Sequence, residues 1–475
     1  MATPLSSISS ISFLFYALIV LVCPCCSLQK SLHTHNFKLT SLLASNVCNR
    51  SSKVHKQGSS LEIVHKDGPC NEKMKDDFKT EISASHYQEM LLQDQLRVDT
   101  IHARFTRRNN SGPFDEMQAK LPLQSGVAIG TGNYFVTVSL GTPQKDLSLI
   151  FDTGSDITWT QCEPCVVSCY QQGQPIFEPR KSSSYANVSC SSSYCNLITE
   201  SGGKKGCSSS TCLYKVVYGD GTYSVGFFAT EKLTVTKSDT FNKYVFGCGQ
   251  SNAGRLGRAA GLLGLGRSQL SFAFQTAKKY KKLFSYCIPP TSSSTGHLSF
   301  GGNIGKTVKF TPMSPDFQST PYYGIDITGI SVGGDKLAVS ASVYQTAGAI
   351  IDSGTVITRL PPTVYSALSS KFQEMMTEYP MTDGFSILDT CYDFSDFDTV
   401  TVPKISVFFK GGVEVDIYVT GILIVVDGIE KVCLAFAPNQ KDSEFAIFGN
   451  TQQQTYEVVH DLAKERVGFA PAACS

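Results

Sequence analysis

The chain has 475 residues, of which 41 are basic and 40 acidic, so a formal net charge of +1 argues against a nucleic-acid binder or a strongly anionic surface. Its length is enough for two or three domains with large cores, and its 39 glycines and many aromatic residues favour an all-β protein. Seventeen cysteines exclude a reduced compartment unless metal is bound.

Taken in order, the chain opens with an apolar run from Ile11 to Cys26 that is short for a membrane span. It reads as the core of a secretory signal, residues 1–27, cleaved near Ser27. Membrane contact is then expected only through that cleaved signal. The destination is secreted, extracellular or vacuolar, rather than the chloroplast, whose transit peptides lack such a core. Cys23, Cys25 and Cys26 leave with the signal. Residues 28–120 are polar and charged and read as a propeptide. Tyr87, Leu91, Val98, Ile101 and Phe105 fall on one helical face, with Ser83 or Ser85 as the cap. Arg104, Arg107 and Arg108, followed by Asn109-Asn110-Ser111-Gly112, form a basic, turn-rich processing region. A surface helix of the mature protein is the plainer alternative.

From Tyr134 the pattern is β. Tyr134–Leu140 ends at Gly141-Thr142-Pro143, and the next apolar run, Leu149-Ile150-Phe151, leads into Asp152-Thr153-Gly154-Ser155. The same pattern returns as Ala349-Ile350-Ile351 before Asp352-Ser353-Gly354-Thr355. An apolar strand running into an acid and a glycine turns sharply at its end. It leaves a carboxylate at the rim of the core with hydroxyls beside it. One such tetrapeptide is an ordinary turn; two matched copies, one in each half, point to paired carboxylates. Two carboxylates in hydrogen-bonding reach share one proton, because like charges disfavour double ionisation. The ionised member can draw a proton from water while the protonated one polarises a carbonyl. That is hydrolysis without a covalent intermediate.

Trp159, the sole tryptophan, lies seven residues beyond Asp152. Tyr218-Gly219-Asp220-Gly221-Thr222, set between Val216-Val217 and Val225, is a hairpin signal. Between them stand Cys162, Cys165, Cys169, Cys190, Cys195, Cys207 and Cys212. Cys162 and Cys165 have the spacing of a zinc or redox pair, but no second pair with suitable histidines follows, so disulfides are expected. With Cys248, Cys287, Cys391, Cys433 and Cys474 these make twelve cysteines and six bridges, Cys48 and Cys70 being left in the propeptide. Asn187-Val188-Ser189, with Asn49-Arg50-Ser51 and Asn109-Asn110-Ser111, fits N-glycosylation, Asn187 being the favoured acceptor. Gly261–Gly266 and Ile447-Phe448-Gly449-Asn450 are apolar runs whose glycines let backbone approach backbone. Ser268 to Leu283 reads as one helix whose Lys278, Lys279, Lys281 and Lys282 form a solvated face. Prolines break regular structure near residues 303–320, a helix is expected from Thr363 to Met376, and a last strand at Val467–Pro471.

These motifs resemble the pepsin-like aspartic endopeptidases, in particular the nepenthesin-like branch of plants. The resemblance implies an all-β, two-lobed fold with a cleft between the lobes. Residues 134–302, with a Cys-rich insertion at 162–212, would form the N-terminal lobe and residues 322–471 the C-terminal lobe. It implies that Asp152 and Asp352 are catalytic, supported by Thr153, Gly154, Ser155, Ser353, Gly354 and Thr355. Trp159 would hydrogen-bond Tyr218 of a flap that includes Gly219. Cysteine pairs implied in the same way are Cys162–Cys165, Cys169–Cys248, Cys190–Cys212, Cys195–Cys207, Cys287–Cys474 and Cys391–Cys433. The expected protein is a monomeric acid endopeptidase acting on protein or peptide substrates, with no metal and no organic cofactor. It would be made as a zymogen whose propeptide sets basic residues against the ionised carboxylates. Two rivals remain. Plant xylanase inhibitors share the fold and the cysteine pattern as binding proteins without a competent dyad. Chloroplast nucleoid DNA-binding relatives would use the lysine-rich segment.

Overall fold

The computed structural model describes residues 33–50, 59–71, 84–109, 134–219, 221–254, 256–471 and 474. The expected signal, Ser83, Asp220, the linker past Asn109 and the side chains of Arg107 and Arg108 lie outside that set. Strands dominate. One fifteen-stranded sheet carries the first lobe and takes in, at its far end, the C-terminal strands Glu457–Asp461 and Arg466–Ala470. Sheets of five, four and four strands build the second lobe.

Each lobe threads a central strand beside the strand that delivers its aspartate. Lys145–Asp152 runs antiparallel to Tyr134–Leu140 and parallel to Gly261–Gly264, with Leu149 opposite Gly261 and Asp152 opposite Gly264. In the second lobe Ala349–Ile351 runs parallel to Ala446–Phe448, Ile350 facing Ile447. Both faces of these strands are covered, which is why they read as unbroken apolar runs rather than alternating ones. A Cβ on Gly264 would lie 2.4 Å from the backbone of Asp156, and one on Gly449 would lie 2.7 Å from the Val356 carbonyl oxygen. Only glycine lets these segments pass so close behind the aspartate loops. A single core, including Phe151, Leu263, Tyr286, Tyr323, Ile351 and Phe448, runs through both lobes.

The N-terminal segment contributes more than a helix. Thr34–Lys38 pairs antiparallel with Thr399–Pro403. Ser59–His65 is inserted between Thr295–Phe300 and Tyr134–Leu140, with Leu61 opposite Leu298 and Val64 opposite Phe135. Leu61 and Ile63 are buried while Glu62 is exposed, the alternation of a strand with one face in the core. Cys48 and Cys70, left unpaired in the sequence reading, form a bridge that ties this segment together.

Two further expectations need correction. Ser268–Leu283 is not one helix. Phe272–Gln275 and Ala277–Tyr280 are separate turns, and Lys281 and Lys282 adopt left-handed φ of 58° and 57°, which no helix continues. The lysines are dispersed accordingly, Lys279 against Asp239 and Lys282 over the Phe274 ring. Among the cysteines, Cys287–Cys474 and Cys391–Cys433 form as the resemblance implied, but the other four pairs differ. Cys162 bridges Cys248, not Cys165, because Trp159–Gln161 lies beside Asp239–Ala253 and brings their Cα atoms to 5.3 Å. Cys165 therefore closes the short loop to Cys169 rather than to Cys162. In the insertion Cys195 bridges Cys212 and Cys190 bridges Cys207. The helix Ser193–Glu200 turns Cys195 inward to meet buried Cys212, leaving the outer cysteines to each other.

Candidate active site

The two Asp loops meet at the junction of the lobes and grip each other. The Thr153 Oγ1 accepts from the Ser353 amide at 2.8 Å, and the Ser353 Oγ accepts from the Thr153 amide at 3.1 Å. Each glycine amide then donates to its own aspartate, Gly154 to Asp152 at 2.9 Å and Gly354 to Asp352 at 3.1 Å. Thr355 Oγ1 also donates to Asp352 at 2.7 Å. Ser155, the matching residue, is placed differently: its hydroxyl is buried without a partner among the described residues. Asp152 and Asp352 are 2% and 0% exposed, so both charges need compensation where they sit.

That compensation is a single arginine from the helix Ala84–Asn109. Arg97 donates through Nη2 to Asp152 Oδ1 at 2.8 Å and to Asp352 Oδ2 at 2.9 Å. Its Nε reaches Asp352 Oδ2 at 3.0 Å. The two carboxylates outweigh the cost of burial and hold the guanidinium well above its ordinary pKa. Asp94, one helical turn earlier, is also fully buried. Its carboxylate accepts from the Val356 amide at 2.7 Å, the Ile357 amide at 3.1 Å and Arg359 Nη2 at 2.9 Å. Burial raises the Asp94 carboxyl above the usual carboxylate range, and it lowers the Arg359 guanidinium from its ordinary value.

Around these two charges the buried face of the helix is mainly apolar, with Gln93 and His102 as its other buried polar residues. Leu91, with Tyr87 and Met90, lies against Val356, Ile357, Leu388 and Val426 of the second lobe. Val98 and Ile101, with Phe105, lie against Phe317, Tyr322 and Phe445. The hairpin joining Thr211–Val217 to Tyr223–Thr236 covers the other side of the helix. A Cβ on Gly219 would fall 2.5 Å from Thr100, and Arg104 donates to the Val217 carbonyl. Trp159 Nε1 donates to Tyr218 Oη at 3.0 Å. Beside Arg104 and Phe105 a cavity of about 240 Å³ remains between Ser155, Tyr218 and Tyr322. The helix thus fills most of a cleft that runs past both aspartates and under the hairpin.

The residues read from sequence as the dyad, its supporting loop and the hairpin are brought together here. Asn187 is exposed on the short strand Ala186–Asn187, which pairs with Tyr223–Thr236. The sequence reading looked to Arg104, Arg107 and Arg108 for the basic group, whereas Arg97 meets the carboxylates, and it did not single out Asp94 or Arg359. A signal was available. The apolar stripe Tyr87, Leu91, Val98, Ile101, Phe105 follows steps of four and three except for one gap, and the missing position is Asp94. A charge inside an apolar stripe calls for a buried partner.

Residues 134–302 match the xylanase inhibitor N-terminal family and residues 322–471 the xylanase inhibitor C-terminal family. An aspartyl protease family protein of Arabidopsis thaliana is 49% identical over 96% of this chain and 98% of its own length. The aspartyl protease AED1 of the same plant is 46% identical over 97% and 99%. Nepenthesin-2, an aspartic proteinase of Nepenthes gracilis, is 38% identical over 75% and 82%. Among solved structures, edgp superposes with a TM-score of 0.58 at 20% identity, covering 72% of this chain and 94% of its own. Basic 7S globulin from soybean gives 0.56 at 18%, covering 71% and 92%; both likenesses speak for the fold alone. With two matched Asp loops behind glycine-threaded strands, and relatives of this identity along nearly its whole length, the chain belongs to the pepsin-like aspartyl protease family of plants.

Proposed function

We propose that the protein is an acid-acting aspartic endopeptidase, made as a latent precursor and secreted or delivered to a vacuole, with Asn187 glycosylated. The observation that carries this reading is Arg97 laid across Asp152 and Asp352. A guanidinium bridging both carboxylates occupies the space a water and a peptide carbonyl would need. Removal of the helix leaves the carboxylates to each other, so that the pair retains one proton. One aspartate then takes a proton from water while the other polarises the scissile carbonyl, under the Tyr218 hairpin.

Acid release follows from the same contacts, because a protonated carboxyl no longer pairs with a guanidinium. The strand Ser59–His65 adds to it. Burial, aided by neighbouring Lys66 and His86 and opposed by Asp67, lowers the His65 imidazole to about 4. A histidine lowered in this way holds its strand best above its ordinary 6.5, and that contribution is lost as pH falls from 6.5 towards 4. Helix and strand therefore loosen in the same direction. The match to xylanase inhibitor families keeps a second reading alive, a binding protein of that type; the complete dyad favours the enzyme.

The test is to acidify purified full-length protein with a denatured protein substrate, with and without pepstatin. Pepstatin-sensitive cleavage that appears on acidification, together with loss of the helix segment, is the expected result. A chain that sheds the helix yet cuts nothing is a binding protein. One that is fully active uncleaved at pH 7 is not a zymogen.

A further inference from the structure

The carboxylate of Asp94 occupies a site built almost wholly by the second lobe. Two consecutive amides, Val356 and Ile357, and the Arg359 guanidinium converge on its two oxygens at 2.7, 3.1 and 2.9 Å. All three donors follow Asp352 within seven residues, so the catalytic loop itself positions them. Arg359 is fully buried and its Nη1 donates to the Ile357 carbonyl at 3.2 Å, but its Nε has no partner among the described residues. The acidic groups acting on it, Asp94 and Asp99, both belong to the helix. Among the described residues, no acid of the lobe itself pairs with this charge. An arginine that stays charged at every working pH is therefore left facing the cleft once the helix departs.

The position is that of a substrate subsite. Asp94 precedes Arg97 by three residues, about 4.5 Å along a helix axis, and an extended peptide rises about 3.3 Å per residue. The Asp94 site thus lies one or two substrate residues from the bond the dyad cuts. Leu91, one turn further along, fills an apolar pocket of Val356, Ile357, Leu388 and Val426 beside it. The helix presents an acid next to an aliphatic side chain, as a bound peptide would.

We propose that Arg359, with the Val356 and Ile357 amides, forms a specificity subsite that takes the carboxylate side chain of an Asp or Glu in the substrate, and that Asp94 occupies it in the latent chain as a stand-in. The proposal rests on the endopeptidase reading above. Arg359 binds rather than reacts: it touches a side chain near the scissile bond and leaves the chemistry to Asp152 and Asp352.

Acid-processed protein is given peptide mixtures in which one position at a time holds Glu or the matched Gln, and cleavage is followed by mass spectrometry. A charge-assisted contact of this kind favours Glu by about ten- to a hundredfold in kcat/KM at one position. In Arg359→Gln the ratio of kcat/KM for Glu over Gln peptides is expected to fall to about one. Because Arg359→Gln strands a buried carboxylate in the latent form and risks misfolding, the paired variant Asp94→Asn/Arg359→Gln removes both charges together. An enzyme that cuts peptides with no acid preference at any position overturns the subsite, as does a preference that survives in the paired variant. If no peptide is cut, the endopeptidase reading fails, and the subsite is judged by binding of the same peptides, followed by emission of the sole tryptophan, Trp159. A Glu peptide must then bind at least about tenfold more tightly than its Gln counterpart. Equal affinities reject the subsite.

Discussion

The two Asp loops share a backbone and differ in what hangs from it. In both, the glycine amide donates to the aspartate, and a threaded segment caps the turn: the Gly266 amide donates to the Ser155 carbonyl at 2.8 Å, the Asn450 amide to the Thr355 carbonyl at 2.7 Å. Four residues past the aspartate, however, the first lobe has Asp156 and the second has Val356. Seven residues past it, the first lobe has Trp159, which anchors the hairpin through Tyr218, and the second has Arg359, which grips the helix through Asp94. The repeated backbone places two carboxylates together, and the side chains at these two offsets then divide the labour. One lobe holds the cover over the cleft; the other holds what lies in it.

The largest effects should show where the lobes are equivalent. Asp152→Asn and Asp352→Asn should each lower the rate of acid proteolysis by about a thousandfold or more, with folding retained by circular dichroism. A large loss in one and little in the other would break the symmetry of the dyad. Next comes the cation that bridges both lobes. Arg97→Ala removes a buried ion pair, a change that typically costs about 3–5 kcal/mol. The uncleaved chain should then hydrolyse a peptide substrate near pH 6.5, where wild type is silent. Continued latency would place the block in the apolar face of the helix instead.

Asp156 tests the first asymmetry. Burial, with a smaller push from Asp152, raises its carboxyl to about 6 despite hydrogen bonds from Ser268. A carboxyl raised on folding stabilises the fold fully below its unfolded pKa, and the benefit is lost as pH rises through about 6. Asp156→Asn should therefore stabilise the protein at pH 7 by about 3 kcal/mol and have little effect at pH 4. Thermal midpoints at the two pH values measure it, and an equal shift at both would contradict the assignment. The smallest effect is expected at the hairpin. Tyr218→Phe removes the acceptor for Trp159 and should lower kcat/KM by about fivefold, the worth of roughly 1 kcal/mol. Unchanged kinetics would mean that the hairpin works as a cover without that bond.

The sequence by itself determined the two Asp loops, the strands that deliver them, the hairpin at Tyr218 and the helix of the N-terminal segment. Those features are local: an apolar run, a turn and a glycine announce themselves within a dozen residues. What only the tertiary structure decided was pairing. Which arginine meets the carboxylates, which cysteines join within the insertion, and where Ser59–His65 enters the sheet all depend on segments far apart in the chain. Cys162 is 86 residues from Cys248, and Arg97 lies 255 residues from Asp352. Arg104, Arg107 and Arg108 stood out as a cluster, but clustering in sequence says nothing about depth in a cleft. A single buried charge, matched to partners from both lobes, decides the contact, because the unpaired alternative is so costly there.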